Sequence, residues 1–304
     1  GFEIRKGFSY LARLEEKVVL GLGEKIKSSP KSSIGRLFPT VRMISDNGYS
    51  SFDEVHPRQY LGNPLELYLL IQPTAFNLIV HPGLSLNQLR FFRGRNASLD
   101  QTEVIKEQIK NKLIEYENSE DSDKPLITDD GLQIGFDLTG KNTSEIVALR
   151  ARKTPIPIDL SKTDFYDAEE FFEPVKVESG KVRLEGGERY LLASKGVLNI
   201  PNHLSAELRR HAGQAFRGTW DEAGFIDPAF RGDLVFEAVV NENGGITLDK
   251  DATKRKEQGI YYTPDFVVDY IVKNTLKPVL DKCRSVNDLK KIKVLDPTCG
   301  SGSF

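Results

Sequence analysis

Cysteine is nearly absent from this 304-residue chain, which has only Cys283 and Cys299. Two cysteines cannot build a disulfide framework or a cysteine-rich zinc site, so a reducing cytoplasm is the expected compartment. Histidine is almost as scarce: His56, His81, His203 and His211 are scattered, and each reads as a surface or turn residue rather than a metal ligand. Long apolar runs are missing too. No stretch approaches the roughly 18 uninterrupted apolar residues of a membrane span, and no signal-peptide pattern is visible. Neither charge dominates, with 42 basic against 44 acidic residues, which excludes a strongly basic nucleic-acid footprint over the whole chain. What remains, 39% hydrophobic and 28% charged residues, is the composition of a globular protein and too apolar for disorder. The chain opens on Gly1 and stops at Phe304 inside a glycine-rich stretch, and both ends suggest a fragment.

Length suggests about two domains. Residues 1–95 have the pattern of short strands and turns. Phe8–Leu14 and Lys17–Leu22 are short apolar runs, and Leu65–Val80 is a longer one broken by Gln72-Pro73. Residues 101–118 place Val104, Ile105, Gln108, Ile109, Lys112, Leu113 and Tyr116 at helical spacing. Glu117–Lys124 is a polar loop, and residues 125–178 read as strands and turns with several proline breaks. An internal repeat then appears at an offset of 180: residues 3–14 match 183–194, with Tyr10-Leu11 on Tyr190-Leu191.

Two motifs in the first 240 residues carry chemistry. Pro30-Lys31-Ser32-Ser33-Ile34-Gly35-Arg36 offers hydroxyls, backbone amides and two cations on one turn, a set suited to phosphate oxygens; a solvated basic turn is the plainer reading. Ala223-Gly224-Phe225-Ile226-Asp227-Pro228-Ala229-Phe230-Arg231-Gly232 leads into the apolar strand Asp233–Val240, which contains Glu237. A carboxylate in such a strand needs a partner or a task if it points inward. If it points outward, it is an ordinary edge residue.

Together with Leu86-Asn87-Gln88-Leu89-Arg90-Phe91, these motifs resemble the dCTP deaminases, in particular the long bacterial form with two tandem dUTPase-like β halves. Arg150-Ala151-Arg152-Lys153 and Phe171-Phe172-Glu173-Pro174 resemble its connecting region. The resemblance covers residues 1–240 and implies a mainly β fold and the metal-independent hydrolysis of dCTP to dUTP and ammonia. Zinc nucleobase deaminases need a His-x-Glu with Pro-Cys-x-x-Cys, an arrangement this chain lacks. By the resemblance, Glu237 is the acid–base carboxyl, a role that an apolar setting suits. Ser32 and Arg36 orient water and contact the nucleotide, Lys31 and Ser33 serve the phosphates, and Phe225 is a nucleotide contact. Asp227 stands where relatives that also hydrolyse dUTP place the residue for that second reaction. Mg²⁺ is expected to arrive with the triphosphate, and a homo-oligomer is expected from the relatives.

The halves look complementary. Aligned by the repeat, Leu67 stands where the second half has Glu237, with Glu66 one position off. Arg209–Gln214 stands where the first half has Ser-Ser-Ile-Gly-Arg. One composite site is therefore expected, with phosphate-side groups from the first half and the carboxylate from the second. The alternative is that one half has become scaffold.

The last segment differs in kind. It carries ten basic and seven acidic residues over 251–304, net +3, against −5 for the rest. Thr263-Pro264-Asp265 starts a helix expected to reach Leu276, and Ile292–Leu295 is a short strand entering a glycine turn. Tyr262-Thr263-Pro264 followed by Asp296-Pro297-Thr298-Cys299-Gly300-Ser301-Gly302 resembles the adenine-N6 DNA methyltransferases of restriction–modification systems. That resemblance implies a partial Rossmann-like α/β segment in which Tyr262, Thr263, Pro264, Asp296, Gly300 and Gly302 would hold S-adenosylmethionine. The catalytic Asn/Asp-Pro-Pro-Tyr motif is not in the chain, so DNA would be a partner only of a completed domain. The expected organisation is 1–100 a first β half clipped at its start, 101–180 a helix and connecting region, and 181–240 a second half clipped at its end. A linker over 241–258 and a methyltransferase fragment over 259–304 complete it. Deamination leads; a methyltransferase fragment, or an inactive join of the two, is the alternative.

Overall fold

Alternation of buried and open side chains shapes the central strands of the first half. The computed structural model describes residues 1–46, 52–56, 62–94, 98–116, 125–140, 145–209, 218–220, 223–240 and 246–249. The chain divides into Gly1–Lys250 and Asp251–Phe304. All of the second unit lies outside the described residues, and so do the expectations for the helix at Pro264, the strand at Ile292 and the six S-adenosylmethionine residues.

The first half runs β1 (Phe2–Ile4), β2 (Tyr10–Val18), β3 (Glu24–Pro30), α1 (Ser32–Gly35), β4 (Pro39–Ser45), β5 (Glu54–Val55), β6 (Leu65–Pro73), β7 (Leu78–Val80) and β8 (Asn87–Arg93). The connecting region holds α2 (Gln101–Asn111), β9 (Ile114–Glu115), β10 (Ile127–Thr128), β11 (Gly131–Leu132), β12 (Ile146–Ala151), β13 (Ile158–Asp159), α3 (Ala168–Phe171) and β14 (Phe172–Lys176). The second half has β15 (Lys181–Leu184), β16 (Arg189–Ala193), β17 (Val197–Asn199), β18 (Ala206–Glu207), β19 (Gly218–Trp220), β20 (Phe225–Ile226), β21 (Arg231–Gly232), β22 (Val235–Val240) and β23 (Ile246–Asp249).

In the first half, sheet β2-β6-β4 and sheet β5-β3-β8 are each three-stranded, and β7 joins β1 to β13. β6 buries Leu65, Leu67, Leu69 and Ile71 on one face and turns Glu66, Tyr68, Leu70 and Gln72 to the other. Those leucines meet Ile26, Val41, Met43 and Phe38 in one core. Phe76 packs edge-on against Phe171 and Phe172 at 5.6 and 5.5 Å, which ties this core to the connecting region. Each such aromatic pair is worth about 0.5–1.5 kcal/mol beyond its buried area. The two apolar runs around residues 8–22 are one strand, β2, with a register shift between Arg13 and Lys17.

The second half is built on the five-stranded sheet β14-β12-β16-β22-β19. Its core face carries Tyr190, Leu192, Ala238 and Val240, which pack with Val182 and Leu184. β23 pairs with β15 from Lys181↔Asp249 to Leu184↔Ile246, so ladder structure continues inside the stretch read from sequence as a linker.

The 180-residue repeat has a concrete cause. The Tyr10 hydroxyl accepts from the Arg5 N–H at 2.9 Å, and the Tyr190 hydroxyl accepts from the Glu185 N–H at 2.8 Å. Gly7 and Gly187 both sit at positive φ (84° and 80°), where glycine is favoured. Their N–H groups donate to Pro73 and Val240, the ends of β6 and β22. The same turn, ring and strand end thus recur.

Register corrects the alignment of the halves. Leu11 opposes Leu70, and Leu191 opposes Glu237. Leu70, not Leu67, stands where the second half has Glu237. Leu67 lies on the other face of β6, inside the first core; an odd slip along a strand exchanges the faces.

The helix expected over 101–118 is shorter than its spacing predicts. α2 ends at Asn111 because Lys112 turns left-handed at φ 49°. The Gln108 amide then receives the Ile114 N–H at 3.0 Å and donates to its carbonyl at 3.1 Å, so the chain leaves as β9. The capping box of Asp100 with Glu103 fixes the start. No residue of α2 is buried; its apolar spacing does not mark a core stripe.

Candidate active site

The period of two also aims Glu237. Phe236, Ala238 and Val240 turn into the second half's own cores. Glu237 faces the opposite way, alongside Leu191, which packs against the first half's core. Glu237 is nevertheless only 2% exposed. It is not an edge residue, because β22 is paired on both sides, with β16 and β19. What covers it is α1. A Cβ built on Gly35 would lie 2.9 Å from Glu237 Oε1, 3.2 Å from its Cδ and 2.9 Å from the Ala223 Cβ. The glycine of Ser-Ser-Ile-Gly-Arg therefore touches the strand carboxylate and the first residue of Ala-Gly-Phe-Ile-Asp-Pro. Two motifs far apart in sequence meet at the seam between the halves.

α1 is a single turn, closed by Gly35 and Arg36 N–H bonds to Lys31 and Ser32 carbonyls. Phe38 follows at φ 60°, a value unusual for a bulky residue. Such backbone strain costs about 1–3 kcal/mol. Its ring is buried in the first core, and the bend sends the chain from α1 into β4. Gly35 and Ile34 are buried, whereas Lys31, Ser32, Ser33 and Arg36 are exposed. The Lys31 ammonium, the Ser32 and Ser33 hydroxyls and the Arg36 guanidinium are thus open to solvent on the same turn whose Gly35 meets Glu237.

The rest of the seam is polar and alternates in the same way. Ile26 of β3 enters the first core, while Lys27 and Ser29 face the second half. Ser29 Oγ accepts the Gly224 N–H at 3.1 Å. Lys27 Nζ lies 3.1 Å from Glu54 and 3.4 Å from Glu207. Burial alone would lower the Lys27 pKa, but Glu54 and Glu207 outweigh it and raise it. Glu54 is held below the usual carboxylate range: burial pushes it up, and Lys27, with smaller contributions from His56 and Lys25, more than reverses that. Arg90, directly opposite Lys27 on β8, donates to the Ala206 carbonyl at 2.9 Å and to Asp227 at 3.4 Å. Its guanidinium stacks 4.1 Å above the ring of Phe225, which is buried, while Asp227 is 72% exposed at its side chain.

The structure thus brings Gly35 of the first motif and Glu237 together and holds Phe225 and Asp227 through Arg90. Ser29, Gly35, Arg90 and Ala223 had no role assigned from sequence. Arg90 lies in a motif singled out by resemblance, but its partner Phe225 is 135 positions away and local pattern cannot pair them. The two connecting-region motifs are also neighbours: Arg150 opposes Glu173 in the β12–β14 ladder, and Arg150 Nε lies 2.7 Å from Glu173 Oε1. That bond lowers the Glu173 pKa and raises that of Arg150. The described histidines do not converge. His56 faces Glu54, His81 faces Asp159 and His203 faces Glu107. Among the described residues no group of three His, Cys, Asp or Glu could hold a metal ion. No described helix is long and apolar enough to cross a membrane.

Comparison with known proteins identifies the family. Residues 1–95 match the family model of the 2'-deoxycytidine 5'-triphosphate deaminase N-terminal domain, and residues 101–240 match that of its C-terminal domain. A crystal structure of 2'-deoxycytidine 5'-triphosphate deaminase from Agrobacterium tumefaciens is similar, with a TM-score of 0.73 and 26% identity over 82% of this chain and 73% of that one. No curated protein matches. The fold and seam define a mainly β hydrolase made of two domains. The chain belongs to the dCTP deaminase family, and its activity is the deamination of dCTP. Neither family model extends to residues 251–304.

Proposed function

We propose that deamination takes place at one composite site on the seam, without a resident metal, and that Glu237 is its acid–base group. The observation that carries this reading is the contact of Gly35 with the Glu237 carboxylate, which joins a phosphate-type turn to a buried acid. Water attacks C4 of the cytosine as the C4=N3 bond opens, and one water proton passes to Glu237. The carboxyl delivers that proton to the amino group, the proton left on the C4 hydroxyl passes to N3, and ammonia leaves as the C4 carbonyl forms. Water and dCTP become dUTP and ammonia, and no other reactant is consumed. Burial disfavours the charged form of a carboxyl, which suits a group that must both take and return a proton. Ser32 and Arg36 orient the water and meet the charge that develops at C4. Lys31 and Ser33 serve the phosphates, Mg²⁺ arrives as part of the triphosphate substrate, and Phe225 contacts the nucleotide. Asp227 serves a second reaction, dUTP hydrolysis, supported by its position ten residues before Glu237; pyrophosphate release from dUTP tests it.

Glu237→Gln keeps the shape and removes the proton acceptor. Its ammonia release from dCTP is expected to fall at least 10²-fold, with the thermal unfolding profile retained. Unchanged turnover would remove Glu237 from the mechanism. The two family domains in one chain support the tandem form of the enzyme, and the homo-oligomer implied by the sequence resemblance is read by light scattering. The methyltransferase-like reading of residues 259–304 rests on its sequence motifs alone. Calorimetric titration with S-adenosylmethionine tests it independently of deamination.

A further inference from the structure

Arg90 belongs to the first half, yet among the described residues its guanidinium meets the second. It bonds the Ala206 carbonyl of β18 and the Asp227 carboxylate beyond β20, and it stacks on Phe225 of β20. β18 and β20 form a ladder of two residue pairs, Ala206↔Ile226 and Glu207↔Phe225. Two pairs are a weak clamp for a segment that holds one wall of a catalytic site. Arg90 spans both strands, and its side chain is 17% exposed, so its charge is spent on these contacts. Ser29 pins the same segment one residue earlier, at Gly224.

We infer that Arg90 is a positioning residue for the deamination site: it locks Phe225 and Asp227 in the place where the nucleotide is received. The inference rests on the reading of the seam as the active site. The planar fork matters here, because it bonds along its edge and stacks on its face at the same time. Lysine can supply the charge but not both contacts. Displacement of a site wall by about 1 Å can cost up to 10²-fold in rate.

Steady-state deamination of dCTP by the full chain tests this with Arg90→Met, Arg90→Lys and Phe225→Leu. Arg90→Met is expected to raise KM for dCTP by about ten-fold or more and to change kcat less, with the unfolding temperature close to wild type. Arg90→Lys should recover only part of the loss. In a Phe225→Leu background, Arg90→Met should raise KM by a smaller factor than it does in the wild type, because the stacking part of its effect is already lost. Wild-type KM in Arg90→Met would overturn the inference, as would full rescue by lysine or activity lost only in proportion to folded protein. Glu237→Gln separates the two levels. If it is inactive while Arg90→Met is normal, only the positioning role fails; if it is fully active, the reading of the site fails.

Discussion

Adding one methyl group at Gly35 tests the composite site most directly. Gly35 is buried in α1 and has an ordinary negative φ, so alanine meets no backbone barrier. On propensity alone, Gly→Ala in a helix is favourable by about 1 kcal/mol. The obstacle is packing. The new Cβ would come within 2.9 Å of both Glu237 Oε1 and the Ala223 Cβ, nearer than real Cβ contacts allow. Either α1 lifts or the carboxylate swings away by several tenths of an ångström. Overpacking of this kind costs about 1–3 kcal/mol, and the propensity gain offsets part of it. Net destabilisation should therefore be about 0–2 kcal/mol, whereas activity should fall about 10²-fold through misplacement of the carboxyl. Gly224→Ala is the internal control: its Cβ would meet the Leu208 carbonyl no closer than 3.4 Å, an ordinary contact. Chromatographic conversion of dCTP to dUTP reads activity, and thermal denaturation reads stability. A Gly35→Ala protein with full turnover, or one no more impaired than Gly224→Ala, would falsify the placement of Glu237 under α1.

The other predictions concern the seam as a whole. Because the folded pKa of Glu54 is depressed, its contribution to stability is present above about pH 4.5 and is lost as pH falls through the lowered value. Lys27, raised in the folded state, contributes below its unfolded pKa and loses its contribution as pH rises through the folded one. Lys27→Met should remove the Glu54–Lys27 part of both branches, visible as a flatter stability profile in melts across pH. The loss near neutrality should be about 0.5–1 kcal/mol, since the pair is partly solvated. Nucleotide binding to Glu237→Gln should saturate at one dCTP per chain in calorimetry, because the Ser-Ser-Ile-Gly-Arg turn occurs once in the sequence. Two equivalent sites would contradict that.

Much of the architecture was legible because it is periodic. The apolar run Leu65–Val80 with its break at Gln72-Pro73 marks strand without any knowledge of its partners, and β6 ends at that break with β7 beyond it. The tyrosine–leucine repeat marks two copies of one unit because the same side-chain-to-backbone bond recurs. The helix at 101 was legible at its start, where the capping box is local, and misread at its end. That end depends on Gln108 reaching Ile114 and on one left-handed residue, and neither alters the hydrophobic spacing. The twin of Glu237 was misplaced for a similar reason. An alignment of two divergent copies slips by three residues at little cost in similarity, while an odd slip in a strand moves every side chain to the wrong face.

For the site, residue types alone determined that the chain carries a phosphate-type turn and a carboxylate in an apolar strand. Whether that carboxylate faces solvent, its own core or another domain is set by the ladder around it. The faces of β22 are fixed by β16, and the group that covers Glu237 comes from about 200 positions earlier. Contacts such as Gly35 against Glu237, Ser29 on Gly224 and Arg90 on Phe225 leave no local signature. Each partner is chosen by the docking of two sheets, and chain order carries no information about which faces will meet. The sequence named the chemical groups; the seam between the halves brought them together.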